Sequence, residues 1–171
     1  MERFIIEILP EGSEYGPRLE EALATDDASR CYVYKGKIMS SSITGRCHCG
    51  LVQWIAELPK KVILNCHCNL CRQLSGADYS SWVIFPEKQV EICRGSEDIS
   101  HYQATDNYSI SFCSKCGSTV NAVNEEKFPN DIYLARGNIT SDFDMPADLQ
   151  VYTVDKASWL EINDAIPVFN P

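Results

Sequence analysis

Cys66-His67-Cys68-Asn69-Leu70-Cys71 sets three thiols within six residues. That spacing turns several sulfurs toward one point, as a soft divalent metal requires. Working outward, Cys47-His48-Cys49 lies upstream and Cys113-Ser114-Lys115-Cys116-Gly117 downstream, so seven of the nine cysteines fall into three tight clusters. Four thiolates close one tetrahedral zinc site, and three more make a second site with one position open. A closed site holds a fold together, whereas an open one admits a ligand.

Disulfides are the competing use of cysteine, and the residues argue against them. An odd count leaves one thiol unpaired, and a bridge within Cys-x-Cys is strained. The apolar run in Met1 to Pro10 is broken by Glu7 and is too short for a signal-peptide core. No stretch approaches the ~18 apolar residues of a membrane span. The expectation is metal ligation in a reducing, cytoplasmic compartment.

The 171 residues suit one domain with a real core, and 44% hydrophobic with 23% charged residues is ordinary globular composition. The formal charge is −9 with 15 basic residues, and thiolates around zinc move it further negative. Such a chain is expected to bind neither nucleic acid nor an anionic membrane. A homo-oligomer is compatible with it.

Residues 1–42 read as an N-terminal extension, with too few apolar residues to fold alone. A strand is expected over Phe4–Leu9, two helical turns over Pro17–Ala24 and a strand over Cys31–Tyr34, with Ser40-Ser41-Ser42 as linker. From 43 to 171 the pattern is short strands between turn signals. Leu51–Ile55, Val62–Asn65, Tyr79–Phe85, Val90–Cys93, Ser109–Phe112, Asp131–Ala135 and Val151–Val154 are the strand candidates. Helical periodicity is confined to a turn or two after Cys71. An all-β domain with short helical pieces is the economical reading.

Pairing alone does not sort seven thiols into two sites. Cys47/Cys49 and Cys113/Cys116 are two pairs of the kind that complete a tetrahedron together and staple distant strands, while Cys66, Cys68 and Cys71 can face one ion from one loop. One complete site with three idle cysteines is the alternative.

These motifs resemble the glutathione-dependent formaldehyde-activating enzyme family, whose domain is shared with centromere protein V. The resemblance rests on Ile43-Thr44-Gly45-Arg46-Cys47-His48-Cys49-Gly50, on Cys66 through Gly76, and on Phe112-Cys113-Ser114-Lys115-Cys116-Gly117. Gly95-Ser96 ahead of Tyr102, Ala135-Arg136-Gly137, Trp159 and Ile166-Pro167-Val168-Phe169 also fit. Ser158 stands where the family pattern has proline, and residues 1–42 have no counterpart. The resemblance implies a β-tent of small antiparallel sheets stapled by zinc. It implies Cys47, Cys49, Cys113 and Cys116 as structural zinc ligands and Cys66, Cys68 and Cys71 as ligands of a catalytic zinc. The activity implied is that of a carbon–sulfur lyase acting on glutathione and formaldehyde.

Three thiolates around Zn²⁺ make a weak Lewis acid that still holds a fourth thiol as thiolate. An ordinary thiol, with a pKa near 8.5, is mostly protonated at neutral pH. The expected chemistry is therefore making or breaking a C–S bond between a small-molecule thiol and an aldehyde or larger carbonyl substrate. His67, between two ligands, is a candidate to relay a proton or hydrogen-bond substrate, and equally to orient the loop. His48 reads as scaffold, and His101 and Tyr102 as surface. Arg72 and Arg136 are the candidate grips for anionic glutathione, and Tyr79, Trp82 and Phe85 either line an apolar pocket or form ordinary core. A non-catalytic zinc-stabilised binding module is the alternative, although the chain lacks a basic tail and keeps all three open-site cysteines. A methionine-sulfoxide reductase needs a redox cysteine outside the clusters, and Cys31 and Cys93 sit in no such motif.

Overall fold

The computed structural model describes residues 41–170, together with the backbone of two short strands at 33–34 and 37–38. The elements expected over 4–9 and 17–24 lie outside the described residues. The strand expected at 31–34 is described at Val33–Tyr34 (β1), which pairs antiparallel with Lys37–Ile38 (β2).

The strands then follow as Ser42–Arg46 (β3), Gln53–Glu57 (β4), Val62–Cys66 (β5), Ser80–Pro86 (β6) and Val90–Arg94 (β7). After them come Ile99–Thr105 (β8), Tyr108–Cys113 (β9), Thr119–Asn124 (β10), Asp131–Ala135 (β11), Leu149–Val151 (β12) and Val168–Phe169 (β13). The α-helix among the described residues, Asn69–Ser75 (α1), starts two residues before Cys71 and stops at Gly76 in a left-handed conformation. The fold is thus mostly β with short helical pieces, as expected.

An antiparallel sheet of three strands runs β3-β4-β7, and a larger sheet runs β13-β12-β5-β6-β11-β10-β9-β8. In the larger sheet β12 lies parallel to both β5 and β13, and the other pairings are antiparallel. Strands β2, β3, β8, β10 and β13 go beyond the expected set, and the strand expected at Val151–Val154 lies instead at Leu149–Val151, with a 3-10 turn at Thr153–Asp155. In β8 the reason is plain: Ser100-His101-Tyr102-Gln103 offers no apolar face, and its pairing with β9 supplies the order.

Side chains alternate across a strand, and in the large sheet this splits the apolar residues between two cores. Ile63, Val83, Phe85, Val120 and Leu134 pack with Ile43, Trp54 and Ala56 of the small sheet. Their neighbours Leu64, Trp82, Ile84 and Tyr133 form a second core on the opposite face, joined by Ala122 because a register shift between Thr119 and Asn121 interrupts the alternation in β10. Trp54 and Phe85 are fully buried, each worth about 1.5–3 kcal/mol on burial. The segment after β11 is tied to β3 through Thr140 N–H to Thr44 O at 2.9 Å and a bridge between Ile139 and Gly45. The first core therefore joins both sheets, and the second leaves one face of the large sheet to form a cavity wall.

Candidate metal centres

The four sulfurs of Cys47, Cys49, Cys113 and Cys116 lie within 4.8 Å of one another. Cys47 follows β3 directly, and Cys113 ends β9. Each pair sits in a tight turn closed by a glycine N–H: Gly50 to Cys47 O at 3.0 Å and Gly117 to Cys113 O at 2.8 Å. Both glycines have positive φ, 77° and 74°, which a side chain would disfavour. His48 N–H donates to Ser118 Oγ at 3.0 Å and so links the two turns.

Cys47 Sγ is 3.5 Å from Cys49 Sγ, which is 3.7 Å from Cys113 Sγ. A tetrahedron with Zn–S bonds near 2.3 Å has S···S edges of about 3.8 Å. The Val52 N–H also points at Cys47 Sγ, 3.3 Å away, a backbone dipole suited to a thiolate. Burial pushes the Cys49 thiol up to about 12 and raises Cys47 as well. An ion is what makes thiolates stable in such surroundings. This group can hold a metal ion.

The sulfurs of Cys66, Cys68 and Cys71 form a second group, also mutually within 4.8 Å. Cys66 ends β5, Cys68 caps the N-terminus of α1, and Cys71 lies in its first turn, so one strand-to-helix corner supplies all three. Cys68 Sγ is 3.5 Å from Cys66 Sγ and accepts the Cys71 N–H at 3.4 Å. The hydrogen bonds from Cys66 and Cys71 draw Cys68 far below the ordinary thiol range, while the same contact pushes Cys66 far above it. Each thiolate makes the next harder to form. A divalent cation relieves that repulsion, so this group too can hold a metal ion. All seven cysteines are free of disulfides.

The two groups differ in their surroundings. Cys47 and Cys113 pack in the core between the sheets, and Cys66 and Cys71 in the core on the opposite face of the large sheet. Cys66, Cys68 and Cys71 line a cavity of about 330 Å³, walled by apolar Leu64, Leu70, Trp82 and Val151 together with Tyr108 and Tyr133. Lys127 is the cation in its lining and Asp155 the acid. Nothing in the local spacing of Tyr108 or Lys127 marks them in sequence.

The other predicted site residues are placed as follows. His67 is fully buried, donates its backbone N–H to Val151 O at 3.0 Å, and has Nε2 3.2 Å from Gln150 Oε1, with its ring beside Tyr79. Burial lowers its pKa and keeps the imidazole neutral, and it is not among the residues lining the cavity. His48, His101 and Tyr102 are exposed. Trp82 lines the cavity, whereas Phe85 belongs to the core on the other face and Tyr79 stands outside the lining. Arg72 donates to Asp155 O at 3.1 Å and lies over the Trp159 ring at 5.6 Å. Arg136 donates to Met145 O. Neither arginine lines the cavity.

No curated protein matches the chain significantly. A crystal structure of a Rhodobacter sphaeroides protein is similar in fold, with 21% identity and a TM-score of 0.51 over 59% of this chain and 91% of that one. The glutathione-dependent formaldehyde-activating enzyme family matches over residues 42–155, a span that holds all seven clustered cysteines, and the chain belongs to that family.

Proposed function

We propose that the protein is a zinc-dependent enzyme of the carbon–sulfur lyase type, joining a thiol to a carbonyl compound or separating them. One observation carries this reading: three sulfurs line a cavity on one face of the large sheet while four close on one another on the other face. Four soft donors suit a structural ion, and three facing a cavity leave room for an incoming sulfur. In this reading Cys47, Cys49, Cys113 and Cys116 hold structural zinc, and Cys66, Cys68 and Cys71 hold catalytic zinc. Zinc held by three thiolates would take up a fourth thiol and keep it deprotonated at neutral pH.

The chain's own residues do the rest. The corner between β5 and α1 fixes the three sulfurs, with the Cys71 N–H oriented on Cys68. Trp82, Leu64 and Val151 exclude water from the reacting carbon and suit a carbonyl substrate with an apolar body. Lys127 offers a cation to an anionic thiol such as glutathione. His67 acts by position: bonded to Gln150 and Val151, it holds the loop between two ligands. Family membership supports glutathione and an aldehyde as the substrate classes. We assign this chemistry to a domain spanning 43–171, in a reducing cytoplasm.

The test is metal content and turnover together. Purified protein is expected to carry two zinc ions, one readily chelated, and to convert glutathione and an aldehyde to the hemithioacetal. Cys68→Ser should leave a folded protein with one ion and no turnover. A Cys68→Ser variant that keeps two ions and the wild-type rate would refute the assignment.

A further inference from the structure

We propose that the Tyr108 hydroxyl donates the hydrogen bond to the substrate oxygen at the three-sulfur centre, an inference that rests on the reading above and adds the group handling the oxygen. Tyr108 is 7% exposed, and its hydroxyl is buried with no hydrogen-bond partner among the described residues. Buried polar atoms are nearly always satisfied, so an orphan calls for an explanation. Five other buried side-chain atoms share this state, but Tyr108 alone of the six residues lines the cavity. Two other polar atoms of the lining are engaged. Thr105 Oγ1 accepts the Tyr108 N–H at 3.1 Å, and Asn124 Oδ1 accepts the Lys127 N–H at 2.9 Å.

The placement comes from the sheet. Four strand steps separate β9 from β5 in the order β5-β6-β11-β10-β9, about 19 Å in a flat sheet. Tyr108 nevertheless shares one core and one cavity with Cys66 and Cys71, so the sheet curls around this face. Its hydroxyl is buried among the residues that line the cavity with Cys66, Cys68 and Cys71. A phenol hydroxyl held there, buried and unpartnered, is a preorganised donor for an oxygen on the carbon joined to a sulfur at this centre.

The step balances without a further reagent. The thiol proton leaves to solvent on binding. The sulfur lone pair forms the C–S bond as the C=O π pair moves onto oxygen. That oxygen, held by the Tyr108 hydrogen bond, takes its proton from solvent. The sum is thiol plus carbonyl compound giving the hemithioacetal, and the reverse order cleaves it.

A binding measurement separates this inference from the reading beneath it. The full-length protein is loaded with cobalt, and charge-transfer absorption follows titration with thioacetate, which carries an oxygen on the carbon bonded to sulfur, and with ethanethiol, which does not. The ratio of the two affinities is compared between wild type and Tyr108→Phe. The expected result is that Tyr108→Phe lowers the preference for thioacetate roughly three- to tenfold. Ethanethiol affinity, metal content and stability should be unchanged. An unchanged ratio overturns the role of Tyr108 and leaves the three-sulfur centre standing. Failure of wild type to bind either thiol overturns both. A variant less stable than wild type, with an unchanged ratio, assigns the hydroxyl to structure and likewise overturns the proposal.

Discussion

Tyr108 and Cys113 stand at the two ends of β9 and face opposite sides of the large sheet. Their separation of five residues, an odd number, puts them on different faces. One strand thus carries a sulfur of the closed group on one side and the buried hydroxyl of the cavity on the other. The closed group anchors the end of β9, and through it the wall on which Tyr108 is mounted.

Replacing a sulfur should therefore have different consequences on the two faces. Cys113→Ser opens a group that joins residues 64 positions apart, where structural zinc contributes on the order of 10 kcal/mol in small zinc modules. The protein is expected to lose cooperative thermal unfolding and both ions. Cys68→Ser should keep a cooperative transition and lose one ion. Equal melting of the two variants, with equal metal content, would contradict the division into closed and open groups.

Lys127 should matter for charged thiols only. It is the cation of the cavity lining and is half-exposed, with Glu126 at 3.5 Å beside it. Lys127→Met is expected to raise KM for glutathione about three- to tenfold, the scale of a partly screened charge contact. KM for an uncharged thiol of similar size should not change. Equal effects on both thiols would remove Lys127 from substrate recognition.

Gly45 is a packing requirement. It lies opposite Trp54 across β3 and β4, and a Cβ there would overlap the indole and approach Asn138 O to 2.6 Å. Gly45→Ala should lower stability by about 1–3 kcal/mol, read by denaturant unfolding, with metal content unchanged in the folded fraction.

Acid should weaken the join between β5 and the segment leading into β12. Lys60 Nζ lies 2.6 Å from Asp148 Oδ2, which also accepts the Ile63 N–H at 2.7 Å, and Lys60 holds the Asp148 carboxyl below its usual range. A carboxyl with a lowered folded pKa contributes stability that is present above its unfolded value and lost as pH falls through the folded one. Asp148→Asn is expected to cost about 1 kcal/mol or less at neutral pH, because the pair is half-exposed and screened. It should also reduce the slope of stability against pH below about pH 4. An unchanged slope would show that Asp148 is not responsible.

The metal-binding character of the chain was legible in the sequence because cysteine spacing within a short turn is a local property. Cys66, Cys68 and Cys71 need only one corner to converge, and Cys113 to Gly117 only one turn. Strands such as β6 and β11 were equally legible, since their branched and aromatic residues carry the signal within the strand itself. Other features were not. The union of Cys49 with Cys113, the two faces of β9, and the sharing of one cavity by Tyr108 and Cys71 depend on strand order and sheet curvature. Those are set by pairings between distant segments, which no window of sequence contains. β8 offers only Ile99 and Ala104, near its two ends, to the cores and became a strand against β9, and His67, flanked by Cys66 and Cys68 in sequence, turned to Gln150 instead of the cavity. Side-chain spacing determined which atoms can gather around an ion, and only the folded sheet decided which of them share a cavity with a hydroxyl and a lysine.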